Sequence, residues 1–202
     1  MEFNKNELKI IELFRTNLFF KGSIREIMYK IKSKSYQRVY EAVERLINKK
    51  ILNFKHYGNN KIINLNLSRE SILLLSYFDE KEANKIPNYS KILDIKEISD
   101  YLILVTGSYA NNTFTKKSDL DLVIIIPDKD DVVHIQKFVD NITMLYSPQV
   151  HLYVFRKKDF LDMLKSKEQT YAKEIVNKKI ILKNARIFYE LLKEVINNGY
   201  KY

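Results

Sequence analysis

Residues 101–126 read YLILVTGSYANNTFTKKSDLDLVIII, and this stretch decides the fold of the second half of the chain. Its two apolar runs, Tyr101–Thr106 and Leu122–Ile126, have the unbroken hydrophobicity of buried strands. A Gly-Ser turn with a short helix ends the first run, and the carboxylates of Asp119 and Asp121 introduce the second. This order predicts a sheet that presents acidic side chains beside a glycine turn.

The spacing of the two aspartates suits a metal ion. Alternate residues of a strand project from the same face, about 7 Å apart, so we expect Asp119 and Asp121 to share Mg²⁺ (or Mn²⁺), which prefers oxygen ligands. Gly107 lets the backbone approach a phosphate closely, and the Ser108 hydroxyl with nearby N–H groups would hold phosphate oxygens. A metal beside a phosphate cradle is what phosphoryl and nucleotidyl transfer require.

The same segment resembles the nucleotidyltransferase superfamily, most closely its minimal archaeal and bacterial members, over roughly residues 88–195. The family pattern, Gly-Ser followed by Ser-Asp-x-Asp, is matched by Gly107, Ser108, Ser118, Asp119 and Asp121. The resemblance implies a mixed sheet flanked by helices and divalent metal ions on the two aspartates. It also implies a nucleoside triphosphate held at Gly107, Ser108 and Ser118.

Two positions depart from the family's pattern. Asn112 stands where many minimal members have a second glycine, and asparagine tolerates a left-handed backbone. On the later strand, residues 149–155, His151 takes the position of the third carboxylate. An imidazole supplies no negative charge to Mg²⁺, although it can accept a proton near neutral pH. Asp159 opens the next helix, too far along to substitute, so the pattern favours binding over turnover and leaves catalysis open.

Positive charge is concentrated in the first third of the chain. Residues 1–69 carry 15 Lys and Arg against 6 Asp and Glu, which is nearly all of the net charge of +10. A basic block of this size is typical of a protein that binds a polyanion. The alternative is a solvated surface in a lysine-rich protein.

The pattern of the same third predicts three helices and a β-hairpin. Residues 6–16 have helical apolar spacing, and residues 17–22 are predicted as a break. Ser23 with Glu26 has the spacing of a capping box, and Ser35 caps a third helix. Two strand-like runs follow around a turn at Gly58. The order resembles a winged helix-turn-helix.

That resemblance implies a third helix in the DNA major groove and a hairpin that forms a wing. Basic, hydroxyl and amide side chains in these places can reach phosphates and base edges. The candidate DNA-contacting residues are Lys34, Ser35, Tyr36, Gln37, Arg38, Lys55, Asn59, Asn60 and Lys61. Dimerisation or contact with a protein partner is the alternative use of such a domain.

The whole chain is predicted to be α+β, with a winged helix-turn-helix at 1–69, a connecting helix at 70–87 and a nucleotidyltransferase-like domain at 88–202. Side chains of the C-terminal segments, including Tyr171, are expected to pack in the core. The chain has no cysteine, which excludes disulfides and thiolate sites. It also has no apolar signal or membrane segment, so a cytoplasmic location is expected.

Two functions remain open from the sequence. The first is a dimeric, archaeal-type transcription regulator that binds double-stranded DNA. Its second domain would bind a metal–nucleotide or mediate assembly, with weak or no catalysis. The alternative is an active Mg²⁺-dependent nucleotidyltransferase that modifies a protein or nucleic acid, as antitoxin-like minimal members do.

Overall fold

The computed structural model describes residues 2–197. Met1 and residues 198–202, the last part of the predicted C-terminal domain, lie outside the described residues. The chain forms two compact units, one up to Leu75 and one from Ser76 onward.

The first unit is built from helices followed by a hairpin. Its elements are α1 (Lys5–Thr16), β1 (Lys21–Gly22), α2 (Ile24–Lys30), α3 (Tyr36–Asn48), β2 (Leu52–Tyr57), β3 (Asn60–Leu65) and the start of α4 (Arg69–Ala83). The predicted capping box is confirmed, because the Ser23 hydroxyl accepts from the Glu26 N–H and the Glu26 carboxylate accepts from the Ser23 N–H. The Ser35 hydroxyl likewise accepts from the Arg38 N–H at the start of α3.

Three strands form a small antiparallel sheet in this unit, in the order β1-β3-β2. The break predicted for residues 17–22 is wrong at its end, where Lys21 and Gly22 pair with Asn64 and Ile63. A two-residue strand is too short to show a period, so pairing with β3 rather than local pattern creates it. Ile63 is fully buried, as are the inward residues of α3.

The second unit is a four-stranded sheet with helices. Its elements after α4 are α5 (Tyr89–Leu93), a 3₁₀-helix (Lys96–Ile98), β4 (Leu102–Val105), α6 (Gly107–Ala110), β5 (Leu120–Ile126), α7 (Val132–Thr143), β6 (Val150–Arg156), α8 (Lys157–Lys165), α9 (Tyr171–Asn177), β7 (Ile180–Lys183) and α10 (Ala185–Asn197). The strand order is β6-β5-β4-β7, with β5 and β6 parallel and the other pairs antiparallel. The predicted mixed sheet with flanking helices is confirmed.

The two predicted buried strands form the centre of this sheet. Every residue of β4 is buried, and in β5 only Asp121 is not. Between α4 and β4, the short α5 and the 3₁₀-helix carry Ile92, Ile95 and Ile98, which pack into the core of the unit. No helix within residues 2–197 has the length and apolar character needed to cross a membrane.

Candidate functional site

The turn after β4 depends on a glycine. Gly107 has a φ of +64°, in the left-handed region that L side chains rarely adopt. A Cβ at this position would also overlap the carboxylate of Asp121, whose Oδ2 lies against the Gly107 backbone. The Thr106 N–H donates to the Asp121 carbonyl at 3.0 Å, which holds the turn beside β5. Both the backbone angle and the space therefore require glycine here.

Asp121 is the central carboxylate of the site. It lies on β5 between buried neighbours, and its side chain is 26% exposed. Burial raises the pKa of Asp121, the nearby charge of Asp119 raises it further, and His151 partly offsets both effects. An opposite charge beside a half-buried carboxylate would stabilise its ionised form.

Asp119 does not lie on the strand as expected. β5 begins at Leu120, whose N–H donates to the Gln149 carbonyl at 2.8 Å, and Asp119 is the exposed residue before it. The charge of Asp119 still influences Asp121.

His151 lies directly opposite Asp121 in the parallel pairing of β5 with β6. Its Nδ1 is 3.5 Å from Asp121 Oδ1, and the Tyr153 hydroxyl lies 3.3 Å from the same nitrogen. The imidazole is 59% exposed, so a ligand can reach it. Asp159 is in the first turn of α8, beyond the far end of β6, and does not join this group.

The two predicted serines lie in α6 and in the loop between α6 and β5. Ser108 is half-exposed in α6, which is a single turn. The Ser118 hydroxyl accepts from the Thr115 N–H at 2.9 Å and so braces the loop. Asn112 has a φ of +58°, the left-handed backbone for which a glycine or asparagine is suited.

A cleft of about 410 Å³ opens beside Gly107 and Asp121. Its lining consists of Thr106, Gly107, Asn111, Asp121, Tyr153, Tyr171, Glu174, Ile175, Asn177 and Lys178. This volume is within the range of small-molecule sites. Sequence reasoning missed the contribution of α9, because no local pattern brings residues 171–178 to a turn some 65 residues earlier in the chain.

Tyr171 is the clearest of the missed residues. The expectation that it packs in the core is wrong in part, because its half-buried ring lines the cleft and its hydroxyl lies 2.9 Å from Thr106 Oγ1. Burial raises the pKa of Tyr171, and the hydrogen bond with Thr106 acts in the opposite direction. Its ring also packs on Tyr153, with centroids 5.0 Å apart.

The side chains that could bind a metal ion here offer both oxygen and nitrogen atoms. Within residues 2–197, no three or more His, Asp or Glu side chains are gathered in the arrangement of a metal centre. Asp121 Oδ1 and His151 Nδ1 are two possible donor atoms that lie 3.5 Å apart. An oxygen–nitrogen pair does not match the all-oxygen preference of Mg²⁺.

The predicted DNA-contacting residues of α3 lie at its first turn. Lys34, Tyr36 and Arg38 are exposed, whereas the Ser35 hydroxyl is occupied as the helix cap. Gln37 is exposed and donates to Glu41 at 3.0 Å. The unit thus presents two cationic side chains and a tyrosine at one end of this helix.

Of the residues predicted at the wing, some are exposed and one forms an ion pair within the unit. Lys55, Asn59 and Asn60 are exposed around the hairpin turn. Lys61 instead pairs with Glu44 of α3, and its ammonium lies 4.2 Å from the centre of the Phe54 ring. Lys61 therefore helps to hold the hairpin on α3.

One family model matches the chain, the nucleotidyltransferase domain, over residues 86–189. No curated protein and no solved structure matches it. The matched segment covers just over half of the chain and contains the glycine turn, β5 and β6. The chain therefore belongs to the nucleotidyltransferase domain family.

Proposed function

We propose that this protein is a DNA-binding regulator whose second unit binds a nucleoside triphosphate with a divalent cation and turns it over weakly or not at all. The observation that carries this proposal is the position of His151 directly opposite Asp121. By its resemblance to the family, this is the place of a third carboxylate. Without that carboxylate, binding is retained more readily than catalysis.

Nucleotide binding is supported by the cleft beside the glycine turn. Gly107 lines this cleft, and Lys178 adds a cationic side chain to the lining. The rings of Tyr153 and Tyr171 offer apolar area for a sugar or base. The cleft thus combines the groups that a triphosphate and its nucleoside need.

DNA binding is supported by the first unit. Its order of helices and hairpin resembles that of a winged helix-turn-helix, and we assign residues 1–69 to this role, 70–87 to the connection and 88–202 to the nucleotide-binding domain. Lys34 and Arg38 are exposed at the start of α3, and we expect them to contact phosphates. A homodimer reading a two-fold symmetric site is the arrangement expected for such a domain.

Calorimetric titration with a non-hydrolysable ATP analogue tests nucleotide binding. Asp121→Asn should weaken binding in the presence of a divalent cation by about tenfold or more, as expected for loss of a charge-assisted contact. Asp162→Asn on the exposed face of α8 is the matched control and should leave binding unchanged. Equal affinity of the two variants, or no binding by the wild type with any cation, would sink this half of the proposal.

Titration with double-stranded DNA at two salt concentrations tests the other half. Replacing Lys34 and Arg38 by Gln should weaken binding and reduce the slope of log K against log salt by about two, one for each lost phosphate contact. Lys193→Gln, an exposed lysine of α10, is the control of equal charge type. An affinity that ignores salt, or that the double variant leaves unchanged, contradicts DNA binding.

An active nucleotidyltransferase is the second candidate, favoured by the intact Gly107–Asp121 contact. An acceptor hydroxyl would attack the α-phosphorus, the bond to the β-phosphate would break, and pyrophosphate would leave. His151 would take the hydroxyl proton as a base. Transfer of label from ATP, CTP or GTP to a protein or nucleic acid, lost in the Asp119→Asn/Asp121→Asn variant, would establish this activity in place of weak turnover.

A further inference from the structure

The spacing of the Asp121–His151 pair is that of two ligands of one metal ion. Asp121 Oδ1 and His151 Nδ1 are 3.5 Å apart. A tetrahedral ion with bonds of about 2.0–2.1 Å holds its ligand atoms about 3.4 Å apart. An octahedral ion with the same bond length holds adjacent ligands about 3.0 Å apart. The two atoms are therefore already close to the separation that a tetrahedral ion requires. For an octahedral ion they would have to move several tenths of an ångström closer together.

The two oxygens of Asp121 have different surroundings. Oδ2 lies against the Gly107 backbone, and Oδ1 faces the imidazole. The Gly107 backbone thus packs against one carboxylate oxygen, and only the other oxygen faces His151 Nδ1. This fixed orientation is what positions a metal ligand.

The imidazole is free to coordinate. His151 is 59% exposed, and Nδ1 has the Tyr153 hydroxyl at 3.3 Å as its other neighbour. A hydroxyl can rotate to another acceptor such as water, so this weak contact is replaced by a metal bond at little cost.

A nitrogen donor changes which ion the site prefers. Mg²⁺ takes oxygen ligands, whereas imidazole suits the later first-row ions, whose affinities rise from Mn²⁺ through Co²⁺. The residue that departs from the family's expected carboxylate is the one that supplies this nitrogen.

We propose that this site selects a divalent transition ion of the Co²⁺–Zn²⁺ class over Mg²⁺, with His151 and Asp121 as its protein ligands. The proposal rests on the proposed function, because the nucleotide's phosphates and water supply the remaining donors. His151 is then a ligand that sets metal identity rather than a defect of the site.

Imidazole NMR tests the ligand directly, since the chain has only three histidines. At about pH 7.5, where an ordinary imidazole is neutral, Zn²⁺ is added to the full-length protein with the non-hydrolysable ATP analogue. The His151 ring signals should shift at zinc concentrations about tenfold or more below those that affect His56 and His134, whose rings form no ion pair with a carboxylate of residues 2–197. Equal response of all three rings would mean adventitious surface binding and would overturn the proposal.

The second measurement is the affinity for the ATP analogue in Mg²⁺, Mn²⁺, Co²⁺ and Zn²⁺. Because loss of a group that merely orients a metal ligand costs about 10–100-fold, His151→Ala should weaken the Co²⁺ and Zn²⁺ complexes by at least tenfold. It should change the Mg²⁺ complex much less. His151→Asp should reverse the preference toward Mg²⁺, and His134→Ala is the control.

The outcomes separate the two proposals. If no cation supports nucleotide binding, the proposed function fails. If nucleotide binds but Mg²⁺ equals Co²⁺ and Zn²⁺ in the wild type, and His151→Asp does not alter the ratio, the metal assignment fails while the proposed function stands.

Discussion

Replacing Gly107 by alanine tests the construction of the site without any ligand. At a φ of +64° an alanine costs about 1–2 kcal/mol. Its Cβ would also overlap Asp121 Oδ2 and crowd Cγ, so the carboxylate must leave its rotamer at a further cost of about 1 kcal/mol. We expect Gly107→Ala to destabilise the second unit by about 2–3 kcal/mol, or about 10 °C in melting temperature.

A double-mutant cycle separates the two contributions. In an Asp121→Ala background the nearest remaining Asp121 atom is Cβ, which lies 3.5 Å from the added methyl group, an ordinary contact. Gly107→Ala should then cost only the backbone strain, about 1–2 kcal/mol. Gly58→Ala is the control in the other unit, since Gly58 has a φ of +57° and no atom within 4 Å of an added Cβ.

Urea denaturation with hydrogen exchange at the amides of β4 and β5 measures these costs in the second unit. The reasoning is refuted if Gly107→Ala costs the same in both backgrounds, because the carboxylate would then not be packed on the glycine. It is refuted equally if Gly107→Ala costs no more than Gly58→Ala.

Three further predictions concern stability. Glu7, 3% exposed, ion-pairs with Arg45 at 2.6 Å, so Glu7→Gln should keep the helix cap and cost about 1–3 kcal/mol. Burial raises the pKa of Glu7, but its hydrogen bonds with Arg45 and Asn4 and the nearby cations lower it below 4.5 overall. Its contribution is therefore present above pH 4.5 and lost as the pH falls through the folded value. Tyr189→Phe removes a buried bond to Asp79 and should cost about 1–3 kcal/mol in urea denaturation. Asp121→Asn should leave the metal-free protein as stable as the wild type or more stable, because a half-buried charge is removed.

Each of these has a result that contradicts it. For Glu7→Gln, it is a stability that falls with pH as steeply as that of the wild type below pH 4.5. For Tyr189→Phe, it is a change within the error of the titration. For Asp121→Asn, it is a clear loss of stability in metal-free buffer at neutral pH, where the carboxylate is charged in the unfolded chain.

The elements that local pattern determines were predictable. The apolar runs of β4 and β5 and the caps at Ser23 and Ser35 each follow from a few adjacent residues. The pairing of β1 with β3 and the approach of Tyr171 to Thr106 were not, because they depend on contacts between distant segments. The pairing of His151 with Asp121 could be predicted only in part. The resemblance to the family put His151 at the position of the third carboxylate, but its 3.5 Å distance from Asp121 required the structure.

The energetics of Asp121 are consistent with a bound cation as proposed above. Burial raises the pKa of Asp121, so at neutral pH its ionised form makes folding less favourable, and Asp119 adds to the effect. The sequence also places at Gly107 the residue that accommodates this carboxylate, although glycine raises the entropy cost of folding. The half-buried charge and the glycine both lower the stability of the fold at this site. Such a combination is consistent with a function that outweighs stability. A cation at Oδ1 would remove the first cost and add binding free energy as its concentration rises above the dissociation constant. The same cation would then account for the turn, the buried charge and the imidazole beside it.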